Sequence, residues 1–209
     1  MKLIRIAGIL LAFATVFHAP LLAQGITGTS HDFSSQTWNT SGQICKPCHT
    51  PHDASTVVSN APLWNHATTT ASFTLYASAK LNATMSQPDE SSKLCLSCHD
   101  GTVALENFSG ATTGTHFITG TSNLGTNLSN DHPVSFTYNT ALATADGGLF
   151  DPSTKLVGGS GSGTIQQKWL FNDKMQCASC HDVHNSIGVT GLLVKSNASS
   201  AMCLTCHNK

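Results

Sequence analysis

Apolar residues along most of this chain occur singly or in pairs between serine, threonine, glycine and asparagine, and stretches with a strong helical period are few. Thr70-Ala71-Ser72-Phe73-Thr74-Leu75-Tyr76 and Val134-Ser135-Phe136-Thr137-Tyr138 alternate weakly, enough for short strands. Gly158-Gly159-Ser160-Gly161-Ser162-Gly163 reads as a flexible loop by composition. Short helices are expected to start at or just after the cysteine motifs described below, each only one to three turns long. The predicted fold class is mostly irregular and loop-rich, with short α-helices and a few short strands. Such a polypeptide makes a thin apolar core by itself.

The longest apolar run, Ile6 to Phe17, follows the basic start Met1-Lys2-Leu3-Ile4-Arg5 and leads to Ala23-Gln24. That is the layout of a secretory signal peptide over residues 1–23, cut after Ala23. The run is shorter than the roughly 20 residues of a spanning helix, and His18 and Pro20 interrupt its end. No stable membrane span is therefore expected after processing. Export places the remaining chain, 24–209, in the periplasm or at the outer cell surface. Without Lys2 and Arg5 this part has no arginine and more acidic than basic residues. A mildly acidic, arginine-free surface argues against nucleic acid and anionic lipid as partners.

All eight cysteines fall into four copies of Cys-x-x-Cys-His: Cys45 to Cys48 with His49, Cys95 to Cys98 with His99, Cys177 to Cys180 with His181, and Cys203 to Cys206 with His207. This is the pattern of covalent c-type haem attachment. Two thiols at this spacing can add to the two vinyl groups on one edge of a haem, and the next residue offers its imidazole to the iron. Tetrahedral zinc and disulfides also use paired cysteines. Neither asks for a histidine after the second cysteine every time. The expected cofactors are four covalently bound haem c groups, whose flat apolar bodies would supply the missing core. The chain without them is expected to be unfolded. Trp38, Trp64, Trp169, Phe73, Phe136, Phe150 and Phe171 are expected to line haem pockets.

Beyond the four motif histidines, His31, His52, His66, His116, His132 and His184 remain for four distal positions. Iron held by two imidazoles has no open site, so it carries electrons rather than activating a small molecule. No catalytic residue is assigned, and the protein is read as a non-enzyme. His52 and His184 each follow a motif histidine by three residues, which places the two rings on one side of the backbone. The two ligands of one iron must approach from opposite faces, so His52 and His184 should each serve a different haem from their neighbour. His132 precedes Pro133, which restricts its backbone. His31 and His66 have aromatic neighbours in sequence. These five are the expected distal ligands, with His116 ranked below them.

The motifs also form two pairs. Cys48-His49-Thr50-Pro51-His52 corresponds to Cys180-His181-Asp182-Val183-His184, and Ser91-Ser92-Lys93-Leu94-Cys95 to Ser199-Ser200-Ala201-Met202-Cys203. One two-haem unit used twice is implied, over about 31–110 and about 171–209, joined by an insert over about 111–170.

On these motifs, with His31-Asp32-Phe33, Pro62-Leu63-Trp64-Asn65-His66 and Asp131-His132-Pro133-Val134, the chain resembles the exported multihaem cytochrome c family with doubled CxxCH motifs. The resemblance implies a stacked haem chain carrying electrons at low potential through bis-histidine irons, towards redox partner proteins or extracellular acceptors. It is similar to tetrahaem cytochromes of metal-respiring bacteria that polymerise into filaments, in which a motif like that of His52 bridges subunits. Two alternatives stay open: a membrane-anchored quinol dehydrogenase that retains the N-terminal segment, and a small haem reductase with an open iron site.

Overall fold

The computed structural model describes residues 25–158 and 163–208. The expected signal peptide and most of the glycine-serine loop lie outside them. Within them the loop-rich expectation holds. The helices are α1 (Glu90–His99), α2 (Thr140–Asp146), α3 (Ile165–Lys168) and α4 (Cys203–Cys206). A two-stranded antiparallel sheet pairs β1 (Phe136–Thr137) with β2 (Lys174–Met175), in the register Phe136 to Met175 and Thr137 to Lys174. β1 falls within the alternating 134–138 segment. The other predicted strand is reduced to a single bridge, Thr74 to Asn127. No described helix is long and apolar enough to cross a membrane.

Local chemistry explains where the helices stop and start. Asn139 caps α2 by accepting a hydrogen bond from the Leu142 amide at 3.0 Å. Gly147, at φ +68°, ends it. Thr164 and Gln167 form a reciprocal capping box on α3. Helix α1 departs from expectation: it begins upstream of its motif and ends on His99. Its C-terminus is closed by the Asp100 amide on Leu96 O at 2.9 Å and by Gly101 in the left-handed region at φ +72°.

The apolar interior is divided into three small clusters. The largest joins Phe136, Tyr138, Ala143, Val157, Ile165, Trp169, Met175 and Cys206, so the insert packs around the sheet and α3 against Met175 and Cys206 of the C-terminal segment. Val58, Trp64 and Leu94 form a second, and Phe73, Leu96 and Leu128 a third. The aromatics expected at haem pockets have varied surroundings within the chain. Trp169 and Phe136 pack in the cluster that includes Met175 and Cys206, and Phe171 is exposed. Phe150 carries the Lys155 ammonium 3.6 Å over its ring, and Trp38 sits among Phe33, Phe108 and His116.

Candidate haem-binding site

The first and third motifs are held by the same device. After each motif the chain loops out and returns to pair once with it, His49 with Trp64 and His181 with Leu193. Thr50 N bonds Leu63 O as Asp182 N bonds Leu192 O, and Asn65 N bonds Cys48 O as Val194 N bonds Cys180 O. In both loops a leucine occupies the left-handed region, Leu63 at φ 52° and Leu192 at φ 54°. A non-glycine residue there costs about 1–2 kcal/mol. In both copies the residue before the strained leucine turns its carbonyl onto the motif histidine.

That contact fixes the ring. His49 Nδ1 lies 2.6 Å from Pro62 O and His181 Nδ1 lies 3.1 Å from Gly191 O. The second motif reaches the same end by another route, with His99 Nδ1 2.8 Å from Ser122 O. An Nδ1–H donated to a carbonyl leaves Nε2 with the lone pair, the tautomer and orientation of a metal-ligating histidine. The sequence has no signal for these three carbonyls, which lie 10 to 23 residues away from their histidines.

The second and fourth motifs share a different detail. The residue before the second cysteine, Ser97 or Thr205, is buried and donates its hydroxyl back to the carbonyl four residues earlier, at 2.8 and 2.9 Å. Each hydroxyl also accepts a bond from outside the helix, Ser97 from the Thr69 amide and Thr205 from Lys195 Nζ. These tie the motif helices to the surrounding loops.

Successive motifs adjoin. Burial pushes the Cys98 thiol up to about 12, with Cys48 and Asp100 adding to it. The Cys95 thiol hydrogen-bonds Cys177, which raises Cys95 and lowers Cys177. Burial pushes Cys206 up to about 12, with Cys180 and Cys203 nearby. Thiols of the first and second, the second and third, and the third and fourth motifs are thus neighbours. The α1 helix and the Cys177–Ser179 turn are joined through Gln176, which is 1% exposed and was not singled out from sequence. Its carboxamide oxygen accepts from the Ser92 amide and hydroxyl and from the Ser135 hydroxyl, while its amide group donates to Asp89 at 2.9 Å. Lys174 completes the junction as the ion-pair partner of Asp89.

The other expected ligands are distributed as follows. His31 is within 6.0 Å of His99, His184 within 6.1 Å of His49, and His132 within 6.3 Å of His207, measured between ring centroids. His66 is buried beside Cys98, with its ring nitrogens facing Ala67 O at 2.7 Å and Ala104 O at 3.0 Å. Burial lowers its pKa, as it does that of His31. Ligation by His66 through Nε2 would displace the Ala104 contact. His52 is exposed. His116 pairs its Nδ1 with Glu106 at 2.7 Å.

These residues fit haem c. The eight cysteines are all free of disulfides, and among the described residues no three His, Cys, Asp or Glu side chains gather into a compact metal site. A cavity of about 240 Å³ lies against Cys177, Cys180 and His181, lined by Leu75, Leu96, Leu124, Leu128 and Met175. Four buried polar atoms, His31 Nδ1, Trp64 Nε1, Ser91 Oγ and Asp100 Oδ2, have no hydrogen-bond partner, where native interiors rarely leave one.

Among curated proteins none matches the chain. Residues 171–209 match the family described as doubled CXXCH motif. This C-terminal segment therefore carries the paired haem c attachment motif of multihaem c-type cytochromes, which are electron carriers.

Proposed function

We propose that this protein is an exported tetrahaem c-type cytochrome that carries electrons along low-potential, bis-histidine haems in the periplasm or at the cell surface. The observation that carries the reading is the set of four complete CxxCH motifs, neighbours in space, with three motif histidines turned by backbone carbonyls to offer Nε2. Haem c, when bound, supplies a one-electron centre. The residues of the chain do the rest. The cysteines would fix the group in place, and the motif histidines would ligate its iron. Further imidazoles would exclude small molecules from it, and the contacts between motifs would keep neighbouring centres close. Two imidazoles, with no methionine ligand to raise the potential, favour low values.

A second reading adds self-association. His52 is exposed, and its ring makes no hydrogen bond or ring contact among the described residues. It is suited to reach an iron in another molecule.

Haem content tests the main reading. Purified protein should hold four haems per chain that survive denaturing electrophoresis, with a purely low-spin spectrum when oxidised. Zinc in place of iron, or haem that dissociates on denaturation, would overturn it.

A further inference from the structure

The ring contacts among the histidines form a pattern that goes beyond the count of ligands. Three of the motif histidines each have one non-motif histidine facing them: His49 has His184, His99 has His31, and His207 has His132. No described contact joins two motif histidines. The separations are 6.1, 6.0 and 6.3 Å between ring centroids. With metal–imidazole bonds of about 2.0 Å and ring centroids about 1.2 Å beyond the bonding nitrogen, two imidazoles on opposite faces of one metal ion have centroids roughly 6.4 Å apart. Other ring pairs lie at 6.1 to 6.4 Å too; what sets these three apart is that each joins a motif histidine to a non-motif one.

The hydrogen bonds agree with this spacing. His49 and His99 spend Nδ1 on carbonyls, leaving Nε2 for a metal. On the facing side His132 has its Nδ1 at 2.9 Å from Pro133 O, which again leaves Nε2. His31 has a buried ring nitrogen with no partner at all. We propose that His184, His31 and His132 are the second axial ligands of the irons attached at the first, second and fourth motifs, opposite His49, His99 and His207. This rests on the haem reading above and assigns its ligands. His184 follows the third motif in sequence yet serves the first. The two-haem units are thereby interlocked, each iron of the first unit being reached by a histidine that lies outside its own motif. His181 makes no such ring contact among the described residues, although His31 lies near it and His132 lines the same cavity, and the assignment does not extend to it.

The angles between the paired rings make the three sites spectroscopically distinct: 19° for His49 and His184, 47° for His31 and His99, and 76° for His132 and His207. Near-parallel imidazole planes donate into the same iron d orbital and split the π pair, which gives a rhombic low-spin signal. Near-perpendicular planes leave the pair almost degenerate, which gives a single broad feature at high g.

The test is electron paramagnetic resonance of the oxidised holoprotein and its variants. His184→Ala should remove a rhombic signal, and His132→Ala should remove a high-g feature. Each of these, and His31→Ala, should convert one haem to high spin, reversed by added imidazole. His116→Ala should leave every haem low-spin. Should an alanine variant fail to accumulate, the methionine variant at the same position keeps a ligand and should raise the potential of one haem. Full haem content with unchanged low-spin spectra in the three alanine variants would overturn the pairing and leave the haem reading standing. So would loss of a rhombic signal in place of the high-g feature on changing His132. A wild-type chain without bound haem would overturn both.

Discussion

The carboxamide oxygen of Gln176 accepts hydrogen bonds from both the backbone amide and the hydroxyl of Ser92, 84 positions away. Through this pair the helix that presents the second motif is fastened to the turn that presents the third. The Cys177 amide donates to the same Ser92 hydroxyl at 3.0 Å.

Gln176→Ala should therefore destabilise the protein by about 1–3 kcal/mol, since it strands the Ser92 and Ser135 hydroxyls in a buried site. Urea unfolding of the holoprotein measures it. Gln166→Ala, which removes an exposed bond to Asp173, should stay within about 0.5 kcal/mol of wild type.

Gly101→Ala should cost about 1–2 kcal/mol, the penalty of a left-handed L-residue. Its new Cβ would also lie 2.6 Å from Asn123 Nδ2. Asn123 is itself held, donating to Ile118 O and accepting from Gly125 N, and the same loop supplies the Ser122 carbonyl to His99. The expected result is a lower thermal midpoint together with altered absorption of one haem.

Glu106 supplies an acid-sensitive contact. Burial pushes its carboxyl up, but hydrogen bonds from His116 and from the Thr115 and His116 amides outweigh this and bring it down from 4.5 to about 2. A carboxylate depressed by folding contributes stability above its unfolded value and loses it as pH falls through the folded one. The thermal midpoint should thus decline between about pH 4.5 and pH 2. Glu106→Gln should flatten that part of the profile, and a variant with the wild-type slope would show that the contact does not contribute.

Replacement of all eight cysteines by serine should abolish the cooperative thermal transition seen by circular dichroism. The described apolar clusters are small and separate, and a core divided in this way cannot offset the conformational entropy of so much loop. A sharp transition in the haem-free chain would contradict it.

For self-association, His52→Ala should leave the haem content unchanged and reduce assembly, as read by electron microscopy beside the wild type. Identical filaments from both would remove His52 from the bridging role.

Much of the chemistry was legible in the sequence because it is local. The motif cysteines and their histidines are contiguous, and covalent attachment needs only that spacing. The loop-rich character followed from composition, since scattered apolar residues cannot form long amphipathic faces. Gln176 gave no such sign: a glutamine before a cysteine means nothing until Ser92, Ser135 and Asp89 are brought around it.

What the chain alone determined is the attachment pattern, the surplus of histidines and the scarcity of regular structure, all properties of residue type at short range. The tertiary structure decided which carbonyl orients each of His49, His99 and His181, which histidine faces which motif, and where the insert keeps its aromatics. Those relations join residues from 10 to 135 positions apart. They depend on how loops close and on single bridges and buried hydrogen bonds, which leave no periodicity in the sequence to be read.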